Sequence, residues 1–125
     1  MKTIAQQLNI KKFPFEIKDS DGKEIYREDS DGSWEKWEWV DGKVICYEDS
    51  DGFWEKMEWA GGEMVYREDS DGFWAKWEYA EGHEIYYEDS DGIIEDNRPK
   101  TDVQKAIELL TKEGLLRDGK IQKLT

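Results

Sequence analysis

Glu28-Asp29-Ser30-Asp31-Gly32 recurs letter for letter in the runs ending at Gly52, Gly72 and Gly92, a spacing of 20 residues. Between the copies lie Ser33-Trp34-Glu35-Lys36-Trp37, Phe53-Trp54-Glu55-Lys56-Met57 and Phe73-Trp74-Ala75-Lys76-Trp77. A fixed period of this length marks a repeat architecture, in which each unit packs against its neighbours. Near-identical side chains then recur as ladders, a geometry that suits binding better than catalysis.

Each unit reads as a β-hairpin. Ser33 to Val40 forms one strand, and Lys43 to Glu48 returns. Asp41-Gly42, Gly61-Gly62 and Glu81-Gly82 stand at the tips, and glycine in second place suits a type I′ turn, which needs positive φ at both central residues. Asp49-Ser50-Asp51-Gly52 then turns into the next hairpin. Asp21-Gly22 aligns with Asp41-Gly42, so Phe13 to Glu28 reads as a degenerate first hairpin. The prediction is a mainly β fold. It is an antiparallel meander of about eight strands, with room for a ninth near Ile93-Ile94 and short helical caps at both ends.

With loops of two or four residues at every turn, each face keeps its identity along the sheet. One face then carries three rows. Ile17, Tyr26, Trp37, Cys46, Met57, Tyr66, Trp77 and Tyr86 form the first, and Glu24, Trp39, Val44, Trp59, Met64, Tyr79 and Glu84 the second. The third is a line of glutamates, Glu28, Glu35, Glu48, Glu55, Glu68 and Glu88, with Phe15 and Ala75. The aromatic rows are the expected core face. Opposed like charges destabilise a sheet, so the glutamate row needs relief from water, basic side chains or cations. The opposite face, with Lys36, Lys56, Arg67 and Trp34, reads as solvated.

Charge is segregated. From Phe13 to Asp96 there are 27 acidic and 8 basic residues, a net of −19, and the flanks carry +6. All 17 aromatic residues also fall in the middle. Highly charged segments tend to disorder, but those segments lack aromatics, so the middle is read as folded. The chain divides into an N-terminal cap (1–12), the repeat sheet (13–96) and a C-terminal helix and small hairpin (97–125). Thr3 to Leu8 has a short helical pattern. Thr101 is the expected N-cap of a helix over 102–112, with Val103, Ala106, Ile107 and Leu110 on one stripe and Gly114 as its stop. Leu115, Leu116, Ile121 and Leu124 flank an Asp118-Gly119 turn. Met1 to Lys12 lacks the apolar core of a signal peptide and no segment has the length of a membrane span, which predicts a soluble, cytoplasmic protein.

Chemistry-bearing motifs are sparse. Cys46 is the single cysteine and reads as a small buried apolar side chain. His83 is the single histidine, beside a turn. No nucleophile–base pair or phosphate-cradling loop is evident, so no catalytic residue, cofactor or metal site is expected. Asp-x-Asp-Gly resembles the start of a calcium loop, but Trp and Lys follow the glycine where ligands are needed, so the run reads as a polar turn. The negative field argues against direct nucleic-acid binding by the repeat, since base-stacking platforms sit in basic grooves.

Glu-Asp-Ser-Asp-Gly-Phe-Trp-Glu-Lys and Tyr79-Ala80-Glu81-Gly82 resemble the tandem β-hairpin repeats of phage and prophage proteins, with a distant similarity to YD/RHS and MORN-type repeats. The resemblance covers about 13–96. Val40, Ala60 and Ala80 replace the aspartate that follows the aromatic in YD repeats. It implies a phage accessory or defence-blocking role with no catalytic residues. The expected function is a non-enzymatic module that binds a protein partner or itself through Trp37, Trp39, Trp59, Trp77 and Tyr79, with Glu48, Glu55 and Glu68 meeting cations. The alternatives are an acidic nucleic-acid mimic that inhibits a host enzyme, and a structural repeat stabilised by divalent cations.

Overall fold

The computed structural model describes residues 1–114, 116, 117, 120 and 121. After a one-turn helix α1 (Ile4–Gln7), nine strands follow: β1 (Phe15–Lys18), β2 (Glu24–Glu28), β3 (Trp34–Val40), β4 (Lys43–Asp49), β5 (Trp54–Ala60), β6 (Glu63–Asp69), β7 (Trp74–Ala80), β8 (His83–Asp89) and β9 (Ile94–Asp96). All pair antiparallel with their sequence neighbours, giving a meander in strict chain order. Ile94 supplies the ninth strand. The sheet is one layer. Among the described apolar residues only Ala5, Tyr26 and Ala75 are buried, and the tryptophans are half-buried by neighbours on their own face.

Two kinds of turn alternate. Asp41-Gly42 has φ of 50° and 76°, and Glu81-Gly82 has 51° and 79°, the type I′ signature. The Asp-Ser-Asp-Gly turns differ. Gly52 N–H donates to the Asp49 carbonyl at 3.1 Å and Asp49 N–H to the Phe53 carbonyl at 3.0 Å, so Ser50, Asp51 and Gly52 form a three-residue loop. Gly52, at φ 88°, holds the left-handed position that this loop requires. The expected two- or four-residue loop is therefore corrected to three. The first hairpin also turns this way, through Ser20, Asp21 and Gly22, and not through a two-residue Asp21-Gly22 loop.

A second device restores phase. Trp39 opposes Val44, but Glu38 opposes Cys46, so Ile45 is an extra residue, a β-bulge. Val65 and Ile85 repeat it between Met64 and Tyr66 and between Glu84 and Tyr86, and a shift near Ile17/Lys18 places Ile25 likewise. Bulge and odd loop together overturn two of the three expected rows. Trp37 opposes Tyr47 and not Cys46; Met57 opposes Arg67; Trp77 opposes Tyr87. The row through Trp39–Val44, Trp59–Met64 and Tyr79–Glu84 stands, because it lies between the I′ turn and the bulge.

The turns at Ser50, Ser70 and Ser90 each lock two hairpins. Ser50 N–H donates to the Trp34 carbonyl at 2.9 Å, and Trp34 N–H donates back to Ser50 Oγ at 3.1 Å. Ser70 with Trp54 and Ser90 with Trp74 repeat this.

Both ends carry helices. Thr3 caps α1 in a capping box with Gln6, and Thr101 caps α2 (Asp102–Lys112) in the same way with Gln104. Gly114, at φ 79°, follows α2. Val103, Leu109 and Leu110 of α2 are exposed. β10 (Leu116–Arg117) pairs with β11 (Lys120–Ile121). The Asp118-Gly119 turn, Leu115 and Leu124 lie outside the described residues. No helix among the described residues is long and apolar enough to cross a membrane.

Candidate functional site

Directly opposed residues of an antiparallel pair share a face, so the register sorts every strand residue. One face, here the Trp37 face, carries Trp37 with Tyr47, Met57 with Arg67, and Trp77 with Tyr87. The Trp37 and Tyr47 rings lie 5.8 Å apart, and Trp77 and Tyr87 lie 5.5 Å apart, both tilted. Beside them run Trp39, Trp59 and Tyr79. Trp39 Nε1–H donates to the Glu24 carbonyl and Trp59 Nε1–H to the Val44 carbonyl, both at 2.8 Å. The ammonium groups of Lys23 and Lys43 lie 5.4 Å and 5.1 Å from the Trp39 and Trp59 ring centres.

The expected glutamate row does not exist as one line. Glu35 and Glu55 keep their expected place on the Trp37 face, opposite Asp49 and Asp69, while the bulge moves Glu48, Glu68 and Glu88 to the other. Each set has its own partners. Tyr47 donates to Glu35 at 2.9 Å and Asp49 at 3.3 Å. Arg67 bridges Glu55 at 3.1 Å and Asp69 at 3.2 Å. Tyr87 donates to Asp89 at 2.6 Å, beside the buried Ala75 that stands where the other units have glutamate. On the Trp34 face Lys36 meets Glu48 at 3.2 Å and Lys76 meets Glu88 at 3.6 Å.

These contacts shift the titrations. The hydrogen bond to Asp89, then burial, pushes Tyr87 up to about 12, and the same bond holds Asp89 below its usual range. Burial, then Glu35 and Asp49, pushes Tyr47 up. The turn aspartates are structural. Asp69 and Asp89 are buried, and each Oδ1 accepts two turn N–H groups. Cys46 is half-buried on the Trp34 face, not buried as expected, and burial raises its pKa. His83 is exposed.

Of the eight expected contact residues, Trp37, Trp39, Trp59, Trp77, Tyr79 and Glu55 share the Trp37 face. Glu48 and Glu68 lie on the Trp34 face, and Glu48 and Glu55 already hold basic partners within the sheet.

One site escaped the sequence reading. Glu28, 1% exposed, accepts from Thr3 Oγ1 at 2.5 Å, Ala5 N at 3.0 Å and Tyr26 OH at 2.9 Å. These bonds seat α1 on the Trp34 face. Burial alone raises the Glu28 pKa, but the three donors outweigh it and hold the group below its usual range. Burial, then Glu28, pushes Tyr26 up to about 12. The signal was present in the Thr3–Gln6 capping box and in Phe15, which opposes Glu28 where Lys36 opposes Glu48. Glu28 has no opposed lysine, so another donor had to reach it.

The chain matches no protein-family model and no curated protein.

Proposed function

We propose that the chain is a non-enzymatic binding module whose Trp37 face meets a protein partner or a second copy. One observation carries this reading: Trp37, Trp39, Trp59, Trp77 and Tyr79 line one face of a single-layer sheet, half-buried and regularly spaced. Tryptophan and tyrosine are enriched at binding hot spots. The hairpin-repeat resemblance supports an accessory role of phage type. The carboxylates are spread through ladders and turns instead of gathering in a cleft, which favours binding over catalysis.

The test is affinity capture with the intact chain, compared with Trp37→Ser and Trp77→Ser, together with the mass of the purified chain in solution. The reading expects the variants to lose a captured protein or a dimer. Identical capture and mass in wild type and variants would sink it. The runner-up, an acidic decoy for a basic nucleic-acid site, draws on the net charge of −19 across 13–96 alone. Its signature is capture that weakens steeply with salt.

A further inference from the structure

The run Tyr-Arg-Glu-Asp-Ser-Asp-Gly-x-Trp stands twice in the chain, at 26–34 and 66–74. The other two units depart from it. One has Cys46 in place of the tyrosine, and the other has Ile94 in place of the tryptophan.

The first copy holds a helix start. Thr3 and Ala5 of the α1 segment donate to Glu28, and Ala5 is 0% exposed. The Tyr26 ring stacks on Trp34 with centres 6.3 Å apart and planes at 22°. Gln6 reaches over the turn, 4.0 Å from where a Cβ on Gly32 would stand. This surface accepts a threonine N-cap followed two residues later by a side chain no larger than alanine.

Toward the following strand the second copy presents the same side chains in the same register, while on the preceding strand Lys56 and Glu58 stand where the first copy has Phe15 and Ile17. Glu68 opposes Trp74 and Tyr66 opposes Lys76, as Glu28 opposes Trp34 and Tyr26 opposes Lys36. Its carboxylate is less engaged. Tyr66 OH donates to Glu68 at 3.4 Å, against 2.9 Å from Tyr26 to Glu28. Lys56 opposes Glu68 with its ammonium 5.3 Å from the Trp54 ring centre. Lys36 and Lys76, each 5.9 Å from the Trp34 and Trp74 ring centres respectively, also reach Glu48 and Glu88 at 3.2 Å and 3.6 Å. No atom of the described chain beyond the neighbouring residues lies within 4 Å of where a Cβ on Gly72 would stand. In the last unit the Arg98 guanidinium covers Tyr86, 4.2 Å from its ring centre.

We infer that Tyr66, Glu68 and Trp74 form a docking site for a partner protein segment that starts a helix with Thr or Ser and carries Ala or Gly two positions later. The partner's hydroxyl and backbone N–H donate to the Glu68 carboxylate. Its small residue sits beside that carboxylate and the Ser70 to Gly72 turn, as Ala5 lies by Glu28, Ser30 and Gly32. The residues before it cover Tyr66 and Trp74, as Lys2 to Ile4 lie by Tyr26 and Trp34. The partner is a different protein, because the α1 of a second copy already holds its own Glu28. β6 lies four strands from β2, about 19 Å at ordinary strand spacing, so both sites fill at once. The inference rests on reading the chain as a binding module. It uses the Trp34 face, so its failure leaves the Trp37 face reading untouched.

The experiment titrates the intact chain with a synthetic peptide of residues 1–12 as probe, followed by calorimetry and by amide chemical shifts. The expected result is saturable one-to-one binding, with shifts at Tyr66, Glu68 and Trp74. Glu68→Gln weakens it about tenfold or more, the loss of a charge-assisted hydrogen bond. Glu48→Gln leaves it unchanged, and a peptide with Ala5→Leu does not bind. If Glu68→Gln does not fold, Trp74→Leu takes its place with the same expected loss. No binding at millimolar peptide, equal binding by the folded Glu68 or Trp74 variant, or shifts confined to Tyr26 and Glu28 through exchange with α1 would each overturn the inference.

Discussion

Trp59 Nε1–H donates to the carbonyl of Val44 at 2.8 Å, tying β5 to the turn end of β4. Trp59→Phe keeps an aromatic ring there and removes the donor. The expected cost is about 1 kcal/mol, the net worth of an ordinary hydrogen bond. Denaturant unfolding followed by circular dichroism measures it. An unchanged midpoint would show that the ring alone matters.

Glu28 holds α1 through three donors, so Glu28→Ala is expected to free the N-terminal segment and spare the sheet. Hydrogen exchange reads this directly. The Ala5 amide loses protection while amides of β4 to β7 keep theirs. Uniform loss across the sheet would assign Glu28 a global role instead.

Acid acts on the same group. The Glu28 pKa in the folded chain lies below its ordinary 4.5. Its contribution to stability is therefore complete above that value and disappears as pH falls through the lowered one. Wild type should lose α1 protection over that range. In Glu28→Gln, α1 protection should no longer depend on pH there, and an unaltered pH dependence would exclude Glu28 as the titrating group.

Alkali acts on the tyrosines. Tyr26 and Tyr87 ionise near 12 in the folded chain against an ordinary 10. Their neutral forms are favoured by folding, so stability is whole below 10 and falls as pH rises from 10 towards 12. Ultraviolet titration should show Tyr26 and Tyr87, together with Tyr47, among the late tyrosinates. Tyr87→Phe should remove one of them and flatten the alkaline loss of stability. Ionisation of all six tyrosines near 10 in the folded chain would refute the burial and bonding described for these two.

The period, the hairpins, the I′ turns and both capped helices were legible because each rests on local chemistry: glycine at positive φ, threonine before a helix, and alternation along strands. The face assignments were not. They depend on parity, and two single-residue devices set it. One is the third loop residue in Asp-Ser-Asp-Gly, and the other is the bulge at Ile45, Val65 and Ile85. A β-branched residue at one fixed position in every unit was the sequence trace of the bulge, yet alternation alone reads it as an ordinary strand residue. The Trp39–Trp59–Tyr79 row was legible because no such device lies between those residues and their partners. Glu28 was misplaced for a related reason. It looked like one rung of a glutamate ladder until the three-residue loop at Ser30 to Gly32 put Trp34, and not Glu35, across from it.

Parity also makes a direct prediction. Deleting Ile45 alone should reverse Val44 and the residues before it relative to the rest of the sheet, and should abolish cooperative folding. Deleting residues 41–60, a whole unit, keeps the phase and should leave a shorter sheet that still melts cooperatively. Calorimetry of the two deletions separates these outcomes. Equal damage from both would mean that phase is not what the bulge provides.

A sheet one layer thick has a thermal consequence. Its tryptophans, and its tyrosines other than the buried Tyr26, keep a minority of their surface in water while folded, so unfolding hydrates less apolar surface than opening a dry interior would. The heat-capacity change should then fall below the usual ~12–15 cal/mol/K per residue. The stability curve is correspondingly flat. Cooling gains this protein little, warming costs it little until the transition, and cross-strand pairing carries the stability that a dry interior supplies in thicker folds.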